Sequence, residues 1–485
     1  MSRLGLILII IEVGLNSEAA IEIKGTHTLD TWYGTWYGIF EGMVDTHGVS
    51  ENMLSIRVFK SNLKGALDIL HTIYWDRDFH LKDTSSTHIT WKSLEFESPS
   101  IYVTLGDFYS TFGQGLVLSM ERNDLVQREH LLEGIKVETK LPQFEVVQIW
   151  ATPYEIDRLQ KNYERLNDTS DVLFGVKASY KINLGNYIFS LSGCGVRFNL
   201  KDALYTNLCG GGVEVKNSWL TWYTELVGKF GWDRAVREER EGSGIYSSLD
   251  IIPFGINLQV MNYDTLGVGN GDYKYNLLPV LNHSGYQIDE GLSQSRNGIG
   301  FQICVAKPIK DIIVSISHSE VENKDPVYHK GITEYYLKVE NTNSYSSLKY
   351  LSLTGGVDFR FDVRQELECE FYRSFKNIGT TVSLSKVKVT HMDSVIPFTD
   401  VELNVQLPVL EIVTIYLAYA YRSKEIIIEC PGTQWYNIGM RVQPSSRIFL
   451  ESSISKEKGG LICSGGMCRW AKPFEGIKLK LDVSL

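Results

Sequence analysis

The chain closes on EGIKLKLDVSL, and these residues repeat with a period of two. Ile477, Leu479, Leu481, Val483 and Leu485 fall on one side; Lys478, Lys480, Asp482 and Ser484 fall on the other. Only an extended strand divides alternate residues in this way, one face apolar and one wet. The pattern recurs along the chain. Val401, Leu403, Val405 and Leu407 oppose Glu402, Asn404 and Gln406, and Leu367, Cys369 and Phe371 oppose Glu366, Glu368 and Glu370. Leu220, Trp222, Thr224, Leu226 and Phe230 form another apolar side, as do Val172, Phe174, Val176, Ala178, Tyr180 and Ile182.

The connections between such runs sort into two kinds. Short ones are Leu141–Gln143, Asn183–Asn186, Lys216–Asn217, Lys307–Lys310, Asp362–Gln365, Pro408 and Pro444–Ser446. Long polar ones cover 153–171, 198–208, 229–245, 262–297, 320–331 and 422–432. A soluble sandwich has no reason to alternate its connections, whereas a membrane barrel does, with short periplasmic turns and long outer loops. From residue 131 onward about nineteen segments have strand character. The expectation is an all-β fold, a transmembrane antiparallel up-and-down β-barrel. Bacterial single-chain barrels have an even strand number, which sets the count at about 18, with 16 to 22 allowed.

Composition agrees with a barrel and excludes other classes. Aromatics make up 12% of the chain, with 26 Tyr and 10 Trp, and Trp and Tyr favour membrane–water boundaries. The tandem TWYGTWYG places Trp32, Gly34, Trp36 and Gly38 on one strand face, either as an interfacial girdle or as an aromatic ladder between strands. A net charge of -10 with no basic stripe speaks against nucleic acid as a partner. The opening residues, Arg3 and then an apolar run to Ile11 and small residues to Ala19, read as a signal peptide over 1–19. No later apolar run reaches the ~18 residues of a membrane helix, so any crossing is made by strands. Residues 20–485 are expected to form one barrel domain, with 20–125 supplying strands or an inward-folded, plug-like segment.

One stretch, LGDFYSTFGQGLVLS, breaks the simple alternation. Gly106–Asp107 has turn character, and Gly113 and Gly115, two apart, would bare one strand face across which Tyr109 or Phe112 packs. This folds the segment against the barrel wall, either as a constriction or as plain packing. With Gly106, Asp107, Phe108, Tyr109, Phe112, Gly113, Gly115 and Leu116, then Glu121, Arg122 and Asp124 and the strand EGIKVE at 133–138, the stretch resembles a signature of an uncharacterised family. That family comprises porin-like outer-membrane β-barrels best known from Bacteroidota. The resemblance implies a location and a fold, and no established substrate. Outer-membrane barrels usually close on an aromatic residue read by the insertion machinery; here the last residue is Leu485.

Chemistry is sparse. Ten histidines are scattered, and neither His-Glu-x-x-His nor G-x-S-x-G occurs. Asp76, Asp78 and His80 read as a polar strand face, or less readily as a metal contact, and GVGNGD at 267–272 reads as a loop. Cys463 and Cys468 flank a hairpin tip, either as a disulfide or as two small half-buried side chains; seven cysteines at wide spacing are no disulfide framework. PYEIDRLQKNYERL and DRAVREERE are expected as charged helical pieces over the mouth or as solvated surface. The expected lumen or constriction residues are Asp107, Tyr109, Gln114, Glu366, Glu368, Glu370, Glu402 and Asn404. The expected structural signature is Gly106, Phe108, Phe112, Gly113 and Gly115. No catalytic residue, metal or cofactor is expected. The reading is a non-enzymatic porin-like barrel of the bacterial outer membrane passing small polar solutes; the alternative is a surface glycan-binding or adhesion barrel acting through its outer loops. Its partners are outer-membrane lipid, the barrel-insertion machinery and an unidentified solute.

Overall fold

A computed structural model describes residues 21–484 apart from 38–43, 77–83, 124–127, 158–161, 167–170, 201–203, 234–237, 271–272, 277–278, 283–297, 310, 324–330, 355–361, 376–377, 392–393, 425–432, 465–466 and 472. The chain rises and falls through β1 (Glu22–Tyr37), β2 (Val44–Lys60), β3 (Leu63–Asp76), β4 (Thr84–Glu97), β5 (Ile101–Phe108), β6 (Arg128–Lys140), β7 (Phe144–Asp157) and β8 (Val172–Leu184). It continues through β9 (Tyr187–Leu200), β10 (Leu204–Lys216), β11 (Leu220–Asp233), β12 (Glu238–Ile251), β13 (Ile256–Asp264), β14 (Gly298–Ile309), β15 (Ile312–Asn323) and β16 (Gly331–Asn341). The last strands are β17 (Ser344–Thr354), β18 (Val363–Phe375), β19 (Ile378–His391), β20 (Ser394–Leu410), β21 (Val413–Arg422), β22 (Gln434–Ser445), β23 (Ile448–Glu457) and β24 (Phe474–Ser484).

Each strand pairs antiparallel with its neighbour, and β24 closes on β1 in the register Thr26 opposite Ser484 to Trp36 opposite Phe474. Closure leaves no free edge, the condition for a sheet to stand in lipid. Two short segments, Arg122–Asn123 and Asn162–Leu166, pair onto the rim, and the wall itself has 24 strands, not about 18. The nineteen segments expected after residue 131 correspond to the nineteen strands β6–β24. The shortfall lies in the region before residue 109, where the described residues contribute the wall strands β1–β5. Their polar residues sit on both faces, as in THTLDT, and blur the period.

Cross-strand partners share a face, so the register assigns every strand an inside and an outside. Outside lie Ile477 and Leu479 of β24, Val401 and Leu407 of β20, Leu367 and Phe371 of β18, Leu226 and Phe230 of β11, and Phe174 and Tyr180 of β8, all exposed. Leu226 is 58% exposed and Phe371 58%; a water-facing sheet would not spread such side chains around its whole circumference, whereas a hydrocarbon solvent requires them. Exposed Trp219, Phe254, Tyr187 and Phe144 gather where the strands meet the short turns, the boundary that aromatic rings favour. The fold is a membrane-spanning β-barrel of the outer-membrane type.

Several local expectations are overturned. Pro408 is not a turn: β20 runs on to Leu410 and turns at Glu411–Ile412, with an irregular register at Pro408–Leu410 that accommodates the missing N–H. Asp362–Gln365 opens β18 at the end opposite the short turns. The connection expected over 198–208 narrows to 201–203, because β9 and β10 stay paired as far as Leu200 opposite Leu204. Among the described residues of 153–166 no helix forms: residues up to Asp157 belong to β7 and Asn162–Leu166 pairs with Glu155 and Asp157. Likewise Glu238–Glu241 are the first residues of β12, opposite Asp233 to Phe230 of β11. In both places a hairpin extension satisfies the backbone where isolated charged helices would be marginal. The signal segment, Asp78, His80, Asp124 and Asp272 lie outside the described residues, as do the side chains of Cys463 and Cys468, two residues whose backbone positions are paired in the hairpin Gly460–Ser464/Met467–Ala471.

Candidate functional site

The lumen runs the length of the barrel, and its lining among the described residues divides into two arcs. Along β5–β17 the inward faces carry Leu132, Ile149, Leu173, Phe198, Leu208, Val227, Met261, Val321 and Leu351, each almost wholly buried. What buries them is the chain itself. After β5 the backbone leaves the wall and forms a small hairpin, Ser110–Phe112 with Leu118–Met120, inside the barrel. After β13 a second segment, Thr265–Asn282, turns inward, and the two meet where the Ser119 N–H donates to the Tyr275 carbonyl at 2.9 Å.

Glycines in the wall receive the side chains of these segments. A Cβ at Gly175 of β8 would lie 2.9 Å from the Phe112 ring, and one at Gly210 of β10 would lie 3.0 Å from Val117. One at Gly244 of β12 would meet Leu266 at 2.7 Å, and one at Gly300 of β14 would meet Leu281 at 2.9 Å. All four glycines lie on the inward face in register. The glycines of the segment itself have a different task. Gly113 and Gly115 do not share a strand face; they adopt φ of 63° and 93° within a tight turn, a conformation that side-chain-bearing residues resist. Gly106, also at positive φ (99°), lies within β5 rather than in a turn, its backbone pressed against the Lys92 carbonyl. The aromatic packing over glycine exists, but on wall glycines the sequence reading passed over.

Polar anchors fix this interior. Glu225 of β11 accepts the Gln114 N–H at 2.8 Å and the Tyr223 hydroxyl at 2.8 Å on one carboxylate oxygen. Lys229, also inward on β11, donates to the carbonyls of Thr265 at 2.9 Å and Gly267 at 2.7 Å. Buried Asn276 donates to Leu116 and Leu266 carbonyls and accepts the Val268 N–H at 2.8 Å, so one amide holds both segments. The Tyr275 hydroxyl donates to Asp171, and its ring stacks on Phe198 at 5.4 Å.

The other arc, β18–β24 with β1–β3, carries more charge and more accessible side chains, apart from buried patches at Val387, Val389 and Phe398 and at Val49, Leu70 and Thr72. Glu366, Glu368 and Glu370 point inward from β18, opposite Leu351, Lys349 and Ser347 of β17. Each acid has a partner: Arg364 at 3.2 Å for Glu366, Lys349 at 2.6 Å for Glu368, and the Tyr345 hydroxyl for Glu370. Glu402 and Asn404 point inward from β20; the Glu402 side chain is 43% exposed, with Lys458 3.8 Å away. Further round, Arg441 pairs with Glu451 at 3.1 Å, Lys478 with Glu457 at 2.6 Å and Arg57 with Asp68. The acidic track and the basic Lys478 and Lys480 lie on strands six apart and do not pair with each other. Trp32 is inward, opposite Lys478, whose ammonium lies 5.8 Å from its ring, so this member of the TWYG repeat lines the lumen rather than the lipid boundary.

Of the remaining expected site residues, Asp107 and Tyr109 lie near the junction of the arcs beside β4, and Gln114 lies against β11 within the filled arc. The Asp107 carboxylate is buried and accepts the Lys92 N–H at 2.6 Å; Tyr109 packs 5.1 Å from Trp91 and donates to Glu129; the Gln114 side chain is exposed while its N–H is held by Glu225. Thus Glu366, Glu368, Glu370, Glu402 and Asn404 share the polar arc, while Asp107, Tyr109 and Gln114 belong to the base and turn of the inward segment. Glu225, Lys229 and Asn276 were missed. The one sequence signal for them is a glutamate and a lysine on the wet face of WLTWYTELVGKF, indistinguishable from lumen lining until their partners are seen.

No family model matches the chain, and no curated protein matches it. Solved barrels do. A cryo-EM structure of the E. coli P pilus tip assembly intermediate PapC-PapD-PapK-PapG aligns with a TM-score of 0.51 at 10% identity, over 97% of this chain and 62% of that one. The translocation pore of the P pilus usher PapC aligns at 0.48 and 10% identity, over 96% and 99%. The Pseudomonas aeruginosa outer membrane protein OpdK aligns at 0.40 and 10% identity, over 96% and 98%. At 10% identity the alignment with the pilus assembly intermediate is a likeness of fold alone.

Proposed function

We propose that the protein is a porin-like channel of the bacterial outer membrane, passing small polar solutes through the charged arc of its lumen and acting without a cofactor. The observation that carries this reading is the accessibility of Glu402, Asn404, Arg441 and Lys480 inside a barrel whose outer face is apolar. Barrels of 16–18 strands already leave an aqueous channel, and this wall is wider. The acids of the arc face cations at close range, which favours uncharged or zwitterionic polar solutes over bulk selection of one ion sign. The resemblance of 106–138 to the porin-like Bacteroidota family supports the same reading, with outer-membrane lipid and the insertion machinery as its partners. Reconstitution into planar bilayers tests it: stable steps of conductance are expected, and a protein that inserts and stays silent would refute a continuous passage.

A further inference from the structure

The inward segments raise a question that packing alone does not answer. Glu225 is 1% exposed in mostly apolar surroundings, and its second carboxylate oxygen has no hydrogen-bond partner among the described residues. Burying a carboxylate half-satisfied is costly, and an apolar side chain of like volume would fill the same space better. The group is nevertheless aimed at one backbone N–H of a turn whose glycine leaves no room for a side chain: a Cβ at Gly113 would fall 1.8 Å from the carboxylate. Four residues along the same strand face, Lys229 does the complementary thing, its ammonium held by two carbonyls of the second segment.

We propose that Glu225 and Lys229 act together as a clamp that pins both inward segments to β11 as a partition, and that this partition sets the cross-section of the passage. The inference rests on the reading above that solutes traverse the lumen. One strand grips a segment that precedes it by 111 residues and one that follows by 36, which makes β11 the spine of the partition. Both grips are made to backbone groups, so they fix where the segments lie without depending on their side chains. Asn276 then joins segment to segment, and the wall glycines Gly175, Gly210, Gly244 and Gly300 seat Phe112, Val117, Leu266 and Leu281. Every wall strand in this arc is paired on both edges by other wall strands, so closure of the barrel does not require the partition. Glu225 and Lys229 are positioning residues: they determine how much of the barrel's width is free.

The test uses the full chain in planar bilayers and in liposomes, with heat-modifiable gel migration reporting the folded barrel. Glu225→Ala/Lys229→Met should keep the heat-modifiable band, raise single-channel conductance severalfold and admit larger uncharged polymers. Glu225→Gln keeps an acceptor oxygen and should return most of the native conductance. A folded double variant with native conductance and native size exclusion overturns the clamp while leaving the channel reading intact. A silent native protein whose double variant conducts upholds the clamp and removes the open passage instead. Should the double variant not fold, Tyr223→Phe removes one of the two donors to Glu225; the clamp predicts a smaller rise with flickering openings, and steady native openings overturn it.

Discussion

Two arcs of one lumen solve opposite problems with the same strand geometry. Along β5–β17 much of the inward face is apolar, and the chain doubles back to cover it; along β18–β24 the inward face carries accessible charges such as Glu402, Arg441 and Lys480, with a buried patch at Val387, Val389 and Phe398. In both arcs the outward face is oily. Lipid therefore dictates the outside uniformly, while the inside is free to vary, and the variation creates the passage. The cost structure differs too. On the filled arc, stability comes from close packing and a few fully buried hydrogen bonds, where small changes of volume are felt. On the open arc, ion pairs stand in contact with water and each contributes little.

The sharpest way to break the contrast is on the filled side. Gly113→Val forces a branched side chain into the Glu225 carboxylate at positive φ, and should cost about 3 kcal/mol or more, read as a lowered unfolding midpoint with the heat-modifiable band retained. Next is the buried pair at the mouth of the open arc. Arg422 is fully buried, doubly bonded to Asp400 at 2.8 Å and stacked 4.3 Å from Phe398; Arg422→Ala leaves Asp400 with Lys458, at 2.7 Å, as its remaining cation and should cost about 2–3 kcal/mol by denaturant titration, blurring the line between the arcs there. Leu116→Ala opens a cavity in the partition and should cost roughly 2–4 kcal/mol by the same measurement. On the outer face Leu226→Lys should cost about 2–4 kcal/mol in a bilayer, since a lipid-facing cation is penalised where a water-facing one is not. Smallest is Glu402→Gln: within about 0.5 kcal/mol in stability, with a measurable shift of reversal potential away from cations.

The two arcs were also unequally legible. On the open arc, alternation in EGIKLKLDVSL, VELNVQL and ELECEFY placed Ile477, Val401 and Leu367 outward and Glu368, Glu402 and Asn404 inward, because period two is a local property and lipid leaves it undisturbed. On the filled arc the same logic found the outer faces of β8 and β11 but said nothing of what faces them across the lumen. The glycine-rich stretch was recognised as inward-folding, yet Gly113 and Gly115 were assigned to a strand they do not form. The pairing of Phe112 with Gly175 spans 63 positions of sequence, and nothing local announces it. Glycines recurring on the wet faces of β8, β10, β12 and β14 were the available signal, each a vacancy waiting for a side chain from elsewhere. The strand number failed for a related reason. β1–β5 carry Thr, Ser and His on both faces, so their period is weak, and only closure of β24 on β1 fixes them in the wall.

The central claim, three solvents around one sheet, is tested most directly by spin labels at Asn404, Val227 and Leu226 in a cysteine-free background, reconstituted in lipid. The account predicts that the label at Asn404 meets a water-soluble relaxer, the label at Leu226 meets oxygen dissolved in the bilayer, and the label at Val227 meets neither. Water contact at Leu226, or equal water contact at Asn404 and Val227, would contradict it.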